Sequence, residues 1–219
     1  MLKKIATALA MVFMVVLLSV TQNNAIEPAQ ASELQQAADL AAVKAYALDH
    51  AQQMKAATAA LKTTAERYYI LIEASDFDYE TAFAQDGPLV AGLVQQAKDQ
   101  WIEASTHYEL DEGIIAGVPS LAFYDVWIDA GAPLADDPEG LEWTLELPDR
   151  TLDSPGNFFH NLLEPALYGT VEEYVGAEVD LDGNGTIELG ESLPEANIFL
   201  GAAQGLDQAT AEMNAAIEA

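Results

Sequence analysis

SELQQAADLAAVKAYALDHAQQMKAATAALKTTAERYYILIEA, Ser32 to Ala74, contains no Pro or Gly and is rich in Ala, Gln, Leu and Lys. These residues favour the helix. Apolar side chains recur at helical spacing through Leu40, Val43, Leu48, Met54, Leu61 and Leu71, so the stretch predicts one long amphipathic helix. Working outward, Ser75 to Gly87 is acidic and aromatic and reads as a connector. Pro88 opens a second predicted helix to about Ile115, with Leu89, Leu93, Ala97, Trp101, Ala104 and Tyr108 along one stripe. A third is expected from Phe158 to about Tyr168 with Asn157 as its cap, and Thr170 to Val179 is expected to continue as a helix. The last runs from Pro194 to near the C-terminus, with Ser192 as N-cap and Glu195 as its capping-box partner. No strand pattern and no fixed repeat stands out. The expectation is an all-α, up-and-down bundle of four main helices. A long irregular excursion, Leu121 to Pro155, interrupts it and carries Trp127 and Trp143, which imply that it packs onto the body.

Composition narrows the function. The 219 residues carry 36 Asp and Glu against 8 Lys and Arg, a formal net charge of −28. Such a surface repels nucleic acid and anionic membranes and attracts cations. No Cys is present, which excludes disulfides, thiol chemistry and a lipid-anchoring Cys. Lys3 and Lys4, the apolar run from Ile5 to about Val20, and Ala29-Gln30-Ala31 have the layout of an export signal. Residues 1–31 are therefore expected to be removed, leaving 32–219 as a single exported domain, periplasmic or extracellular. The apolar run is short for a membrane span, so no stable membrane insertion is expected.

Between the third and last predicted helices lies Asp180-Leu-Asp-Gly-Asn-Gly-Thr-Ile-Glu-Leu-Gly-Glu191. It fits an EF-hand-type calcium loop. Asp180, Asp182 and Asn184 fill positions 1, 3 and 5, and Gly185 stands where the chain must turn sharply. Thr186 offers a backbone carbonyl, Glu188 acts directly or through water, and Glu191 closes the shell with two oxygens. Such an all-oxygen set suits Ca²⁺. A second loop is missing: Asp76-Phe-Asp78-Tyr-Glu80 has Thr81 where Gly is required and Gly87 where the closing Glu is required. A single loop reads as a structural clamp between two helices rather than a paired sensor.

A second constellation uses helical spacing. His160 and Glu164 are four apart on the third predicted helix, and Glu109 and Glu112 are three apart on the second. Each pair shares one face of its helix. Two facing helices that each supply such a pair make a metal site in a bundle core, and a mixed imidazole and carboxylate set accepts iron or zinc. His107 with Glu103, and His50 beside Asp49, read as packed or surface pairs. Solvated glutamates and a packing His160 are the bland alternative.

Leu93-Val-Gln-Gln-Ala97, Trp101-Ile-Glu-Ala-Ser105 and Tyr108-Glu109-Leu-Asp-Glu112 resemble the second-helix signature of the imelysin-like family, which includes EfeO-type periplasmic iron-uptake proteins. Gly156-Asn-Phe-Phe-His160-Asn-Leu-Leu-Glu164-Pro-Ala-Leu167-Tyr168-Gly169 resembles that family's Gly-x-His-x-x-Glu block, typically followed by Leu-Trp-Gly. The resemblance covers roughly Ala42 to Gly169. It departs at one point: Asn161, Leu162 and Leu163 separate His160 from Glu164 where the family has two residues. The resemblance implies a helical bundle whose His and Glu bind metal, with a membrane transport partner for the uptake branch.

Two functions follow. One is an exported metal binder serving iron or metal acquisition, stiffened by Ca²⁺, with His160, Glu164, Glu109 and Glu112 holding iron or zinc. The other is a calcium-stabilised extracellular structural or interaction protein without a transition-metal site. No Ser-His-Asp spacing, nucleophile elbow, phosphate-cradling Gly loop or His-Glu-x-x-His helix occurs. A metallopeptidase would need an open metal position beside a general base, and nothing singles out Glu112 for that role.

Overall fold

A computed structural model describes residues 28–219 of the chain. The export-signal layout therefore lies outside the described residues, apart from Pro28 to Ala31. Among the described residues no helix is long and apolar enough to cross a membrane. The described residues are mostly helical, with five helices and two small two-stranded sheets. The helices are α1 (Pro28–Glu73), α2 (Tyr79–Ile115), α3 (Ala122–Asp125), α4 (Glu164–Tyr168) and α5 (Ala196–Glu218). The strands are β1 (Thr144–Glu146), β2 (Thr151–Asp153), β3 (Val175–Glu178) and β4 (Ser192–Pro194).

The chain divides into two units, residues 1–43 and 44–219. In the first, the described residues begin α1, and Leu40 and Val43 are exposed rather than part of a buried stripe. In the second, the buried face of α1 is Ala47, Ala51, Met54, Thr58, Leu61, Ala65, Tyr68 and Ile72. Successive steps alternate between four and three residues, the spacing of a narrow coiled-coil seam. In α2 the same alternation links Val90, Val94, Ala97, Trp101, Ala104, Tyr108, Asp111 and Ile115, all buried except the partly buried Trp101. In α5 it links Phe199, Ala203, Leu206, Thr210, Met213 and Ile217.

Cross-helix contacts fix the directions. Tyr46 Oη donates to Leu110 O, and His50 meets His107, so α2 runs antiparallel to α1. Lys62 pairs with Asp207 and Lys44 Nζ donates to Glu218 O, so α5 is antiparallel to α1 as well. The two partners of α1 thus point the same way, as the second and last helices of an up-and-down arrangement do.

The expected connector is shorter than its composition suggests. Asp76 and Phe77 take left-handed φ values of 52° and 59°, and Asp78 then caps α2 by accepting from Thr81 N at 3.0 Å. The helix consequently starts nine residues before Pro88. Asp86, at φ −130° and ψ 34°, breaks the helical path and lets Pro88 sit inside without a clash.

Two stretches read as strandless each contain a small sheet. The excursion from Leu121 to Pro155 folds as α3, a π-helical turn over Val126–Ala130 and the antiparallel hairpin β1–β2. It packs inward through buried Ile128, Leu145 and Leu147. Thr170 to Val179 is not a helix. Gly169, at φ 66°, ends α4, and a short 3₁₀ turn then leads into β3, which is held by its pairing with β4. Ser192 is likewise not an N-cap. It lies in β4, and Glu195 caps α5 with its own carboxylate on Ile198 N at 2.8 Å.

Asp111 occupies a seam position that its neighbours fill with apolar groups. It is 1% exposed, and neither carboxylate oxygen has a hydrogen-bond partner. Burial pushes its pKa up from 3.8 to about 6, against the opposing pull of His50 and the Ala51 N–H. A raised carboxyl pKa costs stability as pH climbs from the unfolded value through the folded one. Asp111→Asn is therefore expected to be more stable than the wild type above pH 6 by about 2–3 kcal/mol, at roughly 1.4 kcal/mol per pKa unit. Urea unfolding in chelator across the acid range should show that advantage shrinking below pH 6 and vanishing near pH 4.

Candidate metal centres

Two π-helical turns build the first candidate centre. His160 sits in one, Phe158–Leu163, and Asp129 in the other, Val126–Ala130. A π turn takes one more residue per ring than an α turn and occurs often at functional sites. Asn157 ties the two together. Its Oδ1 accepts from His160 N at 2.7 Å, as a cap, while its Nδ2 donates to Gly131 O at 2.9 Å. Behind them, Phe158 and Phe159 are fully buried, and Trp101 meets His160 edge-on with ring centroids 6.5 Å apart.

The two nitrogens of His160 face different carboxylates. Nε2 lies 2.9 Å from Asp129 Oδ1, and Nδ1 lies 2.7 Å from Glu164 Oε2. The first contact is close but not aligned as a hydrogen bond, since Asp129 Oδ1 is buried without a hydrogen-bond partner. Glu109 completes a cluster with Asp129 and His160, whose ligand atoms all lie within 4.8 Å of one another. The structure thus brings Glu109 and His160 together, sets Glu164 on the opposite ring nitrogen, and leaves Glu112 outside this cluster. Glu112 still acts on it electrostatically. Burial raises the Asp129 pKa, His160 opposes that rise, and Glu112 and Asp125 add to it. For His160, burial disfavours the imidazolium, but Glu164 and Asp129 outweigh burial and its pKa rises above the ordinary value. Tyr108, whose hydroxyl donates to Asp125 at 2.6 Å, is held well above its usual pKa by burial and that carboxylate.

Asp129 is the residue that sequence spacing missed. It lies in the irregular excursion, four residues after Asp125 and without a helix partner in the sequence pattern. Only the folding of that excursion against Phe158 and Phe159 brings it to His160.

The second candidate centre is the loop from Asp180 to Glu191. Its flanks differ from the expectation: it joins β3 to β4 and does not join two helices. Val179 N donates to Glu191 O across its base. Asp180 Oδ1 accepts from Gly183 N, and Oδ2 accepts from Gly185 N, both at 2.7 Å. These N–H groups, led by Gly185, lower the Asp180 pKa. Gly183 and Gly185 have φ values of 76° and 90°, which an L side chain rarely adopts. Asp182 accepts from Asn184 N, Asn184 accepts from Thr186 N, and Glu191 reaches back to Glu188 N. Asp180, Asp182 and Glu191 converge within 4.8 Å, an oxygen-only donor set that fits a hard divalent cation. Asn184, Thr186 and Glu188 line the same turn, with no carboxylate of Glu188 in the convergent group.

One cation stands at the edge of this loop. Lys98 Nζ donates to Gly190 O at 2.7 Å and lies 5.0 Å from the centroid of the Tyr168 ring. It ties α2 to the loop and to α4 at once. Comparison of the chain with family models, curated proteins and solved structures finds no match.

Gly156 sets up the first centre. Its φ is 94°, and an added Cβ would lie 2.4 Å from Asn161 Oδ1, the atom that accepts from Asn157 N. Gly156→Ala is expected to cost about 1–3 kcal/mol, the scale of one strained backbone position. Chemical denaturation measures it, and a cost near zero would mean that the turn before His160 is freely adjustable.

Proposed function

We propose that the protein is an exported metal-binding helical protein that captures iron or zinc at His160, while Ca²⁺ at Asp180 to Glu191 braces the fold. The observation that carries this is the convergence of Glu109, Asp129 and His160 from three separate segments. Their chemistry fits a transition metal. A nitrogen and an oxygen each bound at about 2.1 Å and at right angles stand roughly 3 Å apart, and Nε2 and Asp129 Oδ1 stand 2.9 Å apart. Glu164 then serves on the far nitrogen, holding the Nδ1 proton and so turning Nε2 toward the ion, as carboxylates behind ligating histidines do. Glu164 is a positioning residue in this reading, and Asp129 takes the ligand place that spacing alone gave to Glu164.

The imelysin-like resemblance supports the same reading through its motif. The extra residue between His160 and Glu164 falls within a π-helical turn, which accommodates one more residue per ring. An uptake role of that type carries a membrane transport partner with it. The acidic surface, at −28, draws cations toward the protein.

Calcium is assigned a bracing role because the loop closes a hairpin that packs on α2, not a pair of helices able to swing apart. Metal titration by calorimetry in saturating Ca²⁺ tests the capture site. Asp129→Asn and His160→Ala are expected to abolish Fe or Zn binding there, whereas Glu164→Gln weakens it by about 10–100-fold. Equal binding in wild type and His160→Ala would overturn the assignment. For the loop, thermal melts should show Ca²⁺ stabilising the wild type, by about 2.7 kcal/mol at a hundredfold excess over Kd. Glu191→Gln should lose most of that gain, and a calcium-insensitive wild-type melt would remove the brace.

A further inference from the structure

A third cluster lies on the seam between α1 and α2, apart from both centres above. His50 Nδ1 and His107 Nδ1 face each other at 3.1 Å. Asp111 follows His107 by one helical turn and therefore projects from the same side of α2. Its side chain is almost wholly buried, and both oxygens lack hydrogen-bond partners. The His50 ring is held in place. Tyr46 packs edge-on against it at a centroid distance of 4.5 Å, and the Tyr46 hydroxyl is in turn anchored on Leu110 O.

We propose that His50, His107 and Asp111 form a site for a divalent transition metal of the zinc class, with the fourth position open to water. Two imidazole nitrogens and one carboxylate oxygen are a donor set that zinc accepts. The spacing agrees: two nitrogens bound at about 2.0–2.1 Å with tetrahedral angles stand roughly 3.3 Å apart. A metal-free His pair can hold this contact only by one ring donating to the other, which leaves the buried Asp111 carboxylate with no partner. A shared divalent ion removes that deficit, since it supplies the positive charge that the buried oxygens lack. The three ligand atoms are not all within 4.8 Å of one another. Closing the set takes a turn of the Asp111 side chain, which no hydrogen bond restrains. Ca²⁺ is a poor competitor here, because it takes six to eight oxygens.

None of these residues belongs to the His160 centre, so the two assignments succeed or fail separately. The test is a Zn²⁺ titration of the full chain in saturating Ca²⁺, in a His160→Ala background. One zinc equivalent is expected to remain. Adding His50→Gln or His107→Gln should remove it, weakening binding by roughly a hundredfold, the upper end of what loss of a metal-site partner causes. Co²⁺ substitution should give the absorption of a tetrahedral ion, and Asp111→Asn should diminish it. In the unmutated protein, NMR signals of the His50 and His107 rings should shift together as zinc is added. Unchanged zinc stoichiometry in the His50 and His107 variants, or rings that do not respond to zinc in the wild type, would overturn the proposal.

Discussion

Alternating steps of four and three along α1, α2 and α5 hold the molecule together. A seam of that spacing keeps one continuous line of side chains against the neighbouring helices, and α5 buries further residues beside it, from Ala196 to Ala203. On α1 the line is rich in alanine, with Ala47, Ala51 and Ala65 between Met54, Leu61 and Tyr68. Small groups at these points let neighbouring backbones approach closely. The larger groups interlock instead, as where Tyr68 meets Phe199 edge-on and donates to Pro194 O at 2.8 Å. A rigid frame of long helices follows, and every candidate centre hangs from it.

At Trp101 and Tyr108 the α2 seam meets the chain beyond the long helices. The two π-helical turns lie there. Phe159 packs against both Trp101 and Tyr108, with centroids 6.3 and 5.8 Å away. Trp127 and Trp143 close around Phe158. These aromatic contacts fix the depth of each turn, and the wider π ring sets where His160 and Asp129 point. Hydrophobic burial thus aims two polar groups at each other, although placing Asp129 there raises its pKa through lost solvation. Such a cost is tolerated where a cation or a function offsets it.

The sequence made the long helices legible, and their burial less so. Large apolar residues point to Leu40, Val43, Leu48, Met54, Leu61 and Leu71 on α1; Met54 and Leu61 do lie on the seam, whose other members are alanines, Thr58, Tyr68 and Ile72. Alanine is a weak hydrophobic signal but a good seam residue, and that difference hid the rest of the face. The N-cap at Asn157, the end of α2 at Ile115 and the convergence of Asp180, Asp182 and Glu191 all rest on local chemistry, and they could be read directly. Strands β1 to β4 could not. Each is only three or four residues long and is defined by a partner supplied from elsewhere in the chain. Asp129 was hidden for the same reason. Asp111 was visible in retrospect, because Tyr108, Asp111 and Ile115 keep the seam spacing with a carboxylate in the middle.

A strongly acidic protein gathers cations indiscriminately at its surface, so selectivity must come from donor type and geometry. The three proposed sites differ in this respect. The loop at Asp180 offers oxygen alone, in an exposed turn whose N–H groups already polarise its carboxylates, and suits a hard ion. The His160 cluster mixes one imidazole with two carboxylates, Asp129 half-buried and Glu109 and His160 exposed. The His50 and His107 pair is the richest in nitrogen, half-buried on the seam beside the buried Asp111. Softer, nitrogen-preferring ions are thereby favoured as imidazoles replace carboxylates in the donor set. Donor type would then sort calcium from zinc along one chain, without a separate fold for each ion.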